Sequence, residues 1–154
     1  MKKTIDQLDR RILQELQNNA DVTNETLGQR LHVSPATCQR RISRLKKIGV
    51  IEKVVAIVNP QTAGEPLIAI VEVTLSSQAE QTLSAFEVKA CEFDVVQQCY
   101  RTSTGPDLIL VMALPDMNGY HEIASSLFTA SNEVRNVRTF FSILRSKFGT
   151  NIPV

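Results

Sequence analysis

Six cations between Thr26 and Ile51 are the residues whose type and spacing most clearly suggest chemistry in this sequence. No Asp or Glu occurs in that stretch. The six cations are Arg30, Arg40, Arg41, Arg44, Lys46 and Lys47. Lys and Arg side chains neutralise phosphates and release counterions when a protein binds a nucleic acid. Runs of charge more often form a solvated helix face, but the complete absence of counter-charges favours a polyanionic partner.

The composition narrows the class of protein further. Residues 1–53 hold eleven Lys and Arg against six Asp and Glu, whereas residues 54–154 hold six against ten. Such an asymmetry indicates a nucleic-acid-binding part joined to a second part. The chain is 43% hydrophobic and 21% charged, which is ordinary for a globular protein and excludes a disordered or collagen-like chain.

The sequence shows no targeting segment and no metal motif. Its longest apolar stretches, such as Leu67–Val71 and Leu108–Leu114, are far shorter than the roughly 20 residues that span a bilayer. The first six residues contain no apolar signal region. The three cysteines have no CxxC spacing, which argues against a disulfide framework and a zinc site. We therefore expect a reduced, cytoplasmic protein with no membrane span, no metal and no cofactor.

Two helices are predicted ahead of most of the cations. Apolar residues recur at helical spacing from Ile5 to Leu16. Thr4 and Gln7 could form a capping box at the start of this first helix. A second, short helix is predicted with Thr23 as its N-cap.

The third predicted helix carries five of the six cations. It runs from Pro35 to about Ile48, with Ser34 as its N-cap and Gly49 as its stop. At about 100° per residue, it has an apolar face and an opposite polar face. The apolar face holds Cys38, Ile42 and Leu45, and the polar face holds Thr37, Arg40, Ser43, Arg44 and Lys47. This arrangement is typical of a helix-turn-helix whose second helix lies in the DNA major groove.

Eight residues are predicted to contact double-stranded DNA. They are Ser34, Pro35, Thr37, Gln39, Arg40, Arg41, Arg44 and Lys47. The four cations of this set would neutralise phosphates. Thr37, Gln39 and Arg40 are best placed to reach base edges.

After Gly49 the pattern changes from helical to β-branched. Val50–Val58 is predicted as a strand or wing, ended by Asn59-Pro60, and residues 64–66 mark a linker. The following elements have the order β-α-β-β-α-β of a ferredoxin-like fold. The predicted strands are Leu67–Leu75, Val95–Thr102, Leu108–Leu114 and Val134–Lys147, and the predicted helices are Ser76–Ala90 and one centred on residues 120–128. Because both helices cover one face of an antiparallel sheet, the bare face predicts a homodimer.

One loop of the second half could bind a small molecule. Ser103–Asp107 combines hydroxyls, a Gly-Pro corner and a carboxylate between two apolar strands. It could be a plain turn in which Asp107 bonds nearby backbone. It could also hold a zwitterion, with hydroxyls and backbone N–H groups on the carboxylate and Asp107 or nearby backbone carbonyls on the ammonium. No catalytic motif is present, and the two histidines, His32 and His121, lie in different predicted domains.

The segment Ser34–Ile51 resembles the recognition-helix signature of the Lrp/AsnC family of transcription regulators. Leu8–Leu13, Asn59-Pro60 and Pro115–Met117 fit the same family, so the resemblance covers essentially the whole chain. It implies an α+β fold with an N-terminal winged helix-turn-helix and a C-terminal ferredoxin-like effector domain, often called RAM. It also implies a homodimer formed through the sheets that assembles into an octamer, and a free amino acid bound between subunits.

We accordingly divide the chain into three parts. Residues 1–53 are expected to form the helix-turn-helix DNA-binding domain, and residues 54–66 a connecting strand and linker. Residues 67–154 are expected to form the ferredoxin-like domain that binds the effector and mediates oligomerisation.

The effector loop departs from the pattern that the resemblance implies. The family often shows Gly-Asp-x-Asp-Tyr, whereas this chain has Thr-Gly-Pro-Asp-Leu at residues 104–108. The loss of one carboxylate and one phenol favours an apolar amino acid, leucine or methionine. The residues predicted to bind it are Ser103, Thr104, Gly105, Pro106, Asp107, Leu108, Thr139 and Ser142.

Two other functions remain open at this point. The first is an architectural DNA-binding protein without an effector, in which the loop is only a turn. The second is an enzyme similar in fold to the siroheme decarboxylases. That enzyme would need cationic and imidazole groups for a tetrapyrrole but no basic recognition helix, and the sequence has only two histidines.

Overall fold

The computed structural model describes residues 5–154, apart from the side chain of Gln61. The chain forms two compact units, which we describe separately. The first contains the residues up to Ile57 together with Lys147–Val154, and the second contains Val58–Ser146. We expected residues 67–154 to form one domain. The last eight residues instead pack with the first unit.

Three helices form the first unit. Their bounds are Gln7–Asn18 for α1, Asn24–Leu31 for α2 and Pro35–Lys47 for α3. Thr23 and Ser34 are the N-caps of α2 and α3, as predicted, because their hydroxyls accept the backbone N–H three residues on. At α1 the predicted capping box differs from the observed one, in which Asp6 and Asp9 cap each other. Thr4 lies outside the described residues.

The core of the first unit confirms the predicted apolar face of α3. Cys38 and Leu45 are fully buried against Ile12 and Leu27, and Ile42 packs beside them. Cys38 therefore acts as a small core hydrophobe, and its burial raises the pKa of the thiol.

A close approach of backbone to backbone fixes the turn between α2 and α3. His32 takes a left-handed conformation with φ of 58°, which ends α2. A Cβ atom on Gly28 would lie 2.7 Å from the carbonyl oxygen of Val33. Glycine therefore allows α2 to pass this close to the start of α3.

The strand or wing predicted over Val50–Val58 is wrong for this chain. Residues 50–58 are not part of any strand, and Val54, Val55 and Ile57 are exposed. A β-branched run forms a strand only where a second strand satisfies its N–H and C=O groups. None of the strands in the described part of the chain pairs with it. The predicted linker also contains a short helix, α4, at Pro60–Ala63.

The second unit is a four-stranded antiparallel sheet with two helices on one face. Its elements are β1 (Leu67–Leu75), α5 (Glu80–Cys91), β2 (Val96–Arg101), β3 (Leu108–Leu114), α6 (Met117–Leu127) and β4 (Val134–Phe141). The strand order is β2-β3-β1-β4. This confirms the ferredoxin-like order predicted from the sequence.

Two predicted boundaries in the second unit are wrong. The helix predicted from Ser76 begins only at Glu80, because Ser76 donates its N–H to the carbonyl of Glu133 at 2.7 Å. The last strand ends at Phe141 and not at Lys147, since the chain then leaves the sheet.

The C-terminal segment returns to α1. The amide nitrogen of Gln17 donates to the carbonyl of Ile152 at 3.1 Å, and the N–H of Ile152 donates to Oε1 of Gln17 at 2.7 Å. Asn151 donates to the side chain of Asn18 at 3.0 Å, and Val154 packs against the core of the first unit. The last residues are thus part of the helical unit.

The two faces of the sheet differ in burial. Ala69, Val71 and Val73 are fully buried beneath the helices, whereas Ile70, between them on β1, is 40% exposed. Ile70 is in register with Val111 on β3 and with Phe140 on β4. An apolar row therefore crosses the face that the helices leave bare.

Candidate DNA-binding surface and effector loop

The polar face of α3 is exposed along its length. Gln39, Arg40, Ser43 and Lys47 are all exposed, opposite the buried Cys38 and Leu45. Within residues 5–154, neither Arg40 nor Lys47 takes part in an ion pair. These two cations can donate hydrogen bonds to phosphate oxygens without losing an ion-pair partner within that range.

The other two predicted phosphate contacts on α3 are paired with α1. Nη1 of Arg44 lies 2.9 Å from Asp9, and Nη1 of Arg41 lies 3.2 Å from the same carboxylate. Arg41 also contacts Asp6. The N–H of Asp9 and the Arg41 guanidinium hold the pKa of Asp6 below its usual value, and Asp6 in turn raises the pKa of Arg41.

Only part of this cluster is indicated by the sequence. Asp6 and Asp9 have the spacing of a capping box, but Thr4 and Gln7 offer a second candidate for the same box two residues earlier. That Asp9 is buried, and that two arginines more than 30 residues away bond to it, becomes visible only in the folded chain.

The remaining predicted DNA contacts lie at the start of α3. Ser34 and Pro35 are exposed in the turn that leads into the helix. The hydroxyls of Ser34 and Thr37 bond to each other at 2.9 Å. Because Thr37 is half-buried and already bonded, Gln39 is the more accessible candidate for reading a base edge.

The predicted effector loop joins β2 to β3. Ser103, Thr104 and Gly105 are exposed at its tip, and Gly105 has φ of 86°, a conformation that favours glycine. The Thr102 N–H donates to the carbonyl of Asp107 at 3.0 Å, and the Thr102 hydroxyl donates to that of Pro106. The loop is thus closed on itself, with hydroxyls at its outer end.

Asp107 is bonded within the unit. Its side chain is buried and accepts the backbone N–H of Leu75 at 2.7 Å and the amide of Gln78 at 3.1 Å. Its own N–H donates to the carbonyl of Val73 at 2.9 Å. The carboxylate therefore holds the end of β1 against the loop within one subunit.

Three other predicted effector residues lie away from the loop tip. Leu108 is fully buried in the core. Thr139 bonds the hydroxyl of Tyr120 at 2.6 Å in an open groove between α6 and β4. The N–H of Ser142 donates to Ile68, at the end of β1 far from the loop. Since β1 separates β4 from β3, one subunit does not bring Thr139 or Ser142 to the loop.

Residues 5–154 contain neither a metal-binding cluster nor a membrane-spanning helix. Within residues 5–154, no group of three His, Cys, Asp or Glu side chains is placed to hold a metal ion. In the same range, no helix has the length and apolar character needed to cross a membrane.

Two family models match the chain over both units. An AsnC-type helix-turn-helix domain matches residues 5–46, and a Lrp/AsnC ligand binding domain matches residues 68–152. The second match alone spans more than half of the sequence. The chain belongs to the Lrp/AsnC family. It is therefore a DNA-binding transcriptional regulator with a ligand-binding domain, as the resemblance implied, and not an enzyme.

Relatives agree with this assignment along the whole length. The chain is 33% identical over 152 residues to an uncharacterised HTH-type transcriptional regulator of Haemophilus influenzae, spanning 99% of this chain and 90% of the relative. It is 30% identical over 138 residues to the leucine-responsive regulatory protein of Escherichia coli, spanning 90% of this chain and 84% of that protein.

Solved structures of family members share the fold. An AsnC family transcriptional regulator from Agrobacterium tumefaciens has a TM-score of 0.85 and 29% identity, and the match covers 97% of both chains. A transcriptional regulator from Neisseria meningitidis, solved as a complex with L-Met, has a TM-score of 0.84 and 26% identity, again over 97% of both chains.

Proposed function

We propose that this Lrp/AsnC regulator binds specific DNA sequences through α3 and responds to a free amino acid, leucine or methionine. The observation that supports α3 most directly is its exposed face, which carries cations and no acid. Arg40 and Lys47 neutralise phosphates, and Gln39 is the candidate reader of base edges. In a two-fold dimer, α3 and its copy would read half-sites about one helical turn, or a multiple of it, apart.

Arg40→Ala tests the role of α3. The variant should bind every duplex more weakly. The slope of log K against log salt is negative, and its magnitude should decrease by about 0.9, the value for one lost phosphate contact. Fluorescence anisotropy with labelled duplexes at several salt concentrations measures both quantities.

Arg135→Ala is the matched control for this experiment. Arg135 is exposed on β4, in the second unit, and its removal should leave the slope unchanged. An unchanged slope for Arg40→Ala would contradict the assignment of α3 to the DNA backbone.

The amino-acid effector is supported by two relatives and by the loop. One relative is named leucine-responsive and one neighbour was solved with L-Met. The exposed hydroxyls of Ser103 and Thr104 could hold an α-carboxylate. Because Asp107 is bonded within its own unit, we propose that the ammonium group is held by backbone carbonyls or by a second subunit.

Thermal-shift measurements with the twenty amino acids test this part of the proposal. L-leucine or L-methionine should raise the melting temperature, since a ligand that binds only the folded state stabilises it. L-aspartate, which carries a charge in place of the apolar side chain, is the control. No shift with any amino acid would favour an architectural DNA-binding protein without an effector.

We also propose that the chain forms a homodimer through the bare sheet face and assembles further into an octamer. The apolar row of Ile70, Val111 and Phe140 supports the first step. An amino acid bound between subunits could then act by favouring one assembly, to the extent that its affinity differs between them.

A further inference from the structure

A cluster of four charges joins the start of α1 to the middle of α3. Its members are Asp6, Asp9, Arg41 and Arg44. The Asp9 side chain is fully buried. It accepts three hydrogen bonds, from the Asp6 N–H at 3.1 Å and from the arginines at 3.2 and 2.9 Å. A buried carboxylate is tolerated only when it is paired and bonded in this way.

The position of Arg41 on α3 separates it from the cations of the outward face. At about 100° per residue, Arg41 lies roughly 60° from the centre of the apolar face at Cys38, whereas Arg40 lies roughly 160° away. The Arg41 side chain is 27% exposed. Its direction is therefore towards α1, where both aspartates lie.

The two arginines bond to Asp9 from successive turns of the helix. Arg41 and Arg44 are three residues apart, so their side chains are neighbours on the helix surface. Arg44 lies at the edge of the polar face and is 44% exposed, but its Nη1 also reaches Asp9. Two contacts one turn apart resist rotation of α3 about its own axis, which a single contact would not. If α3 rotated, Arg40 and Lys47 would no longer point outward from the core that holds Cys38.

We infer that Asp9 is a positioning residue for DNA recognition: with Asp6 it neutralises Arg41 and Arg44 and fixes the rotation of α3, so that Arg40 and Lys47 face the duplex. This rests on the proposed function of α3. Arg41 and Arg44 are then structural cations, and they do not add to the count of phosphates that the protein neutralises.

The experiment compares full-length variants on two probes. One is the tightest duplex that the wild-type protein selects from a random pool, and the other is poly(dI-dC). Arg41→Gln should keep the wild-type salt slope to within about half a unit, whereas Arg40→Ala loses about 0.9. Asp9→Asn should weaken binding to the selected duplex roughly tenfold, the effect of one lost base contact, and change binding to poly(dI-dC) much less.

Asp9→Glu keeps the charge and should restore part of the selected binding, which a general loss of packing would not allow. If Asp9→Asn does not fold, as judged by circular dichroism, the salt slopes of Arg41→Gln and Arg44→Gln still show whether these two arginines contact phosphate. Slopes that fall by about 0.9 for these variants would overturn the inference, because the arginines would then leave the aspartates to bind phosphate.

The same data separate this inference from the proposed function. A wild-type protein that selects no duplex and binds DNA without salt dependence would contradict the proposed function itself. A wild-type protein that binds, with Arg40→Ala and Arg41→Gln losing equal slope, would contradict the positioning role alone.

Discussion

Gly28 sits where α2 crosses the backbone that leads into α3. A Cβ atom there would lie 2.7 Å from the Val33 carbonyl oxygen and 3.3 Å from the Pro35 nitrogen. Both neighbours are backbone atoms, so the turn itself must move to admit a methyl group. Gly28→Ala should therefore destabilise the helical unit by about 1–3 kcal/mol, the usual cost of overpacking. Urea denaturation followed by circular dichroism measures the change.

Gly149→Ala is the matched control at the residue scale. A Cβ on Gly149 would meet nothing within 4 Å, so the free energy of unfolding should change by less than about 0.5 kcal/mol. Equal stability of Gly28→Ala and the wild type would show that the turn can relax without cost.

At the scale of elements, the C-terminal segment adds to the three helices. The Gln17 side-chain amide forms two hydrogen bonds with the backbone of Ile152, one to its carbonyl and one from its N–H, as a neighbouring strand would. Gln17→Ala removes both bonds. Because an exposed hydrogen bond contributes about 0.5–1.5 kcal/mol, the amide of Ile152 should exchange with solvent several-fold faster. Hydrogen exchange with mass spectrometry of the C-terminal peptide measures the rate.

Gln14→Ala makes the same chemical change in the same helix. Gln14 is exposed, and the hydrogen bonds between α1 and residues 151–152 in the described part of the chain come from Gln17 and Asn18. The exchange of Ile152 should be unaffected by this variant. Equal exchange rates in Gln17→Ala and the wild type would mean that the Gln17 hydrogen bonds do not hold the C-terminal segment in solution.

At the scale of the whole molecule, the bare sheet face should decide the assembly. Ile70 and Phe140 are 40% and 45% exposed on one apolar row. Ile70→Glu would place a charge at the centre of a sheet-to-sheet interface, where it would lose its water. We expect the variant to dissociate to smaller species, as measured by light scattering after size-exclusion chromatography.

Val88→Glu is the control for this experiment. Val88 is 64% exposed on α5, on the helical side of the second unit, and its replacement should keep the wild-type mass. An Ile70→Glu protein with the mass of the wild type would contradict assembly through this face.

Much of the fold followed from local signals. Ser34, Pro35 and Gly49 bound α3 because caps and stops act on backbone groups within one turn. The β-branched run Leu67–Leu75 and the apolar run Leu108–Leu114 predicted both strands to the residue. The exposed face of α3 was also predictable, since helical periodicity places Arg40 and Lys47 opposite Cys38.

The sequence alone determined the family, the order of elements and the face of α3 that carries its cations, because these depend on neighbours within a few residues. Only the tertiary structure decided which polar groups were already satisfied: Arg41 by Asp9 and Leu75 by Asp107. It also decided that residues 50–58 form no strand and that Ile152 returns to Gln17. Such contacts join residues far apart in the chain, and each depends on geometry that no local pattern specifies.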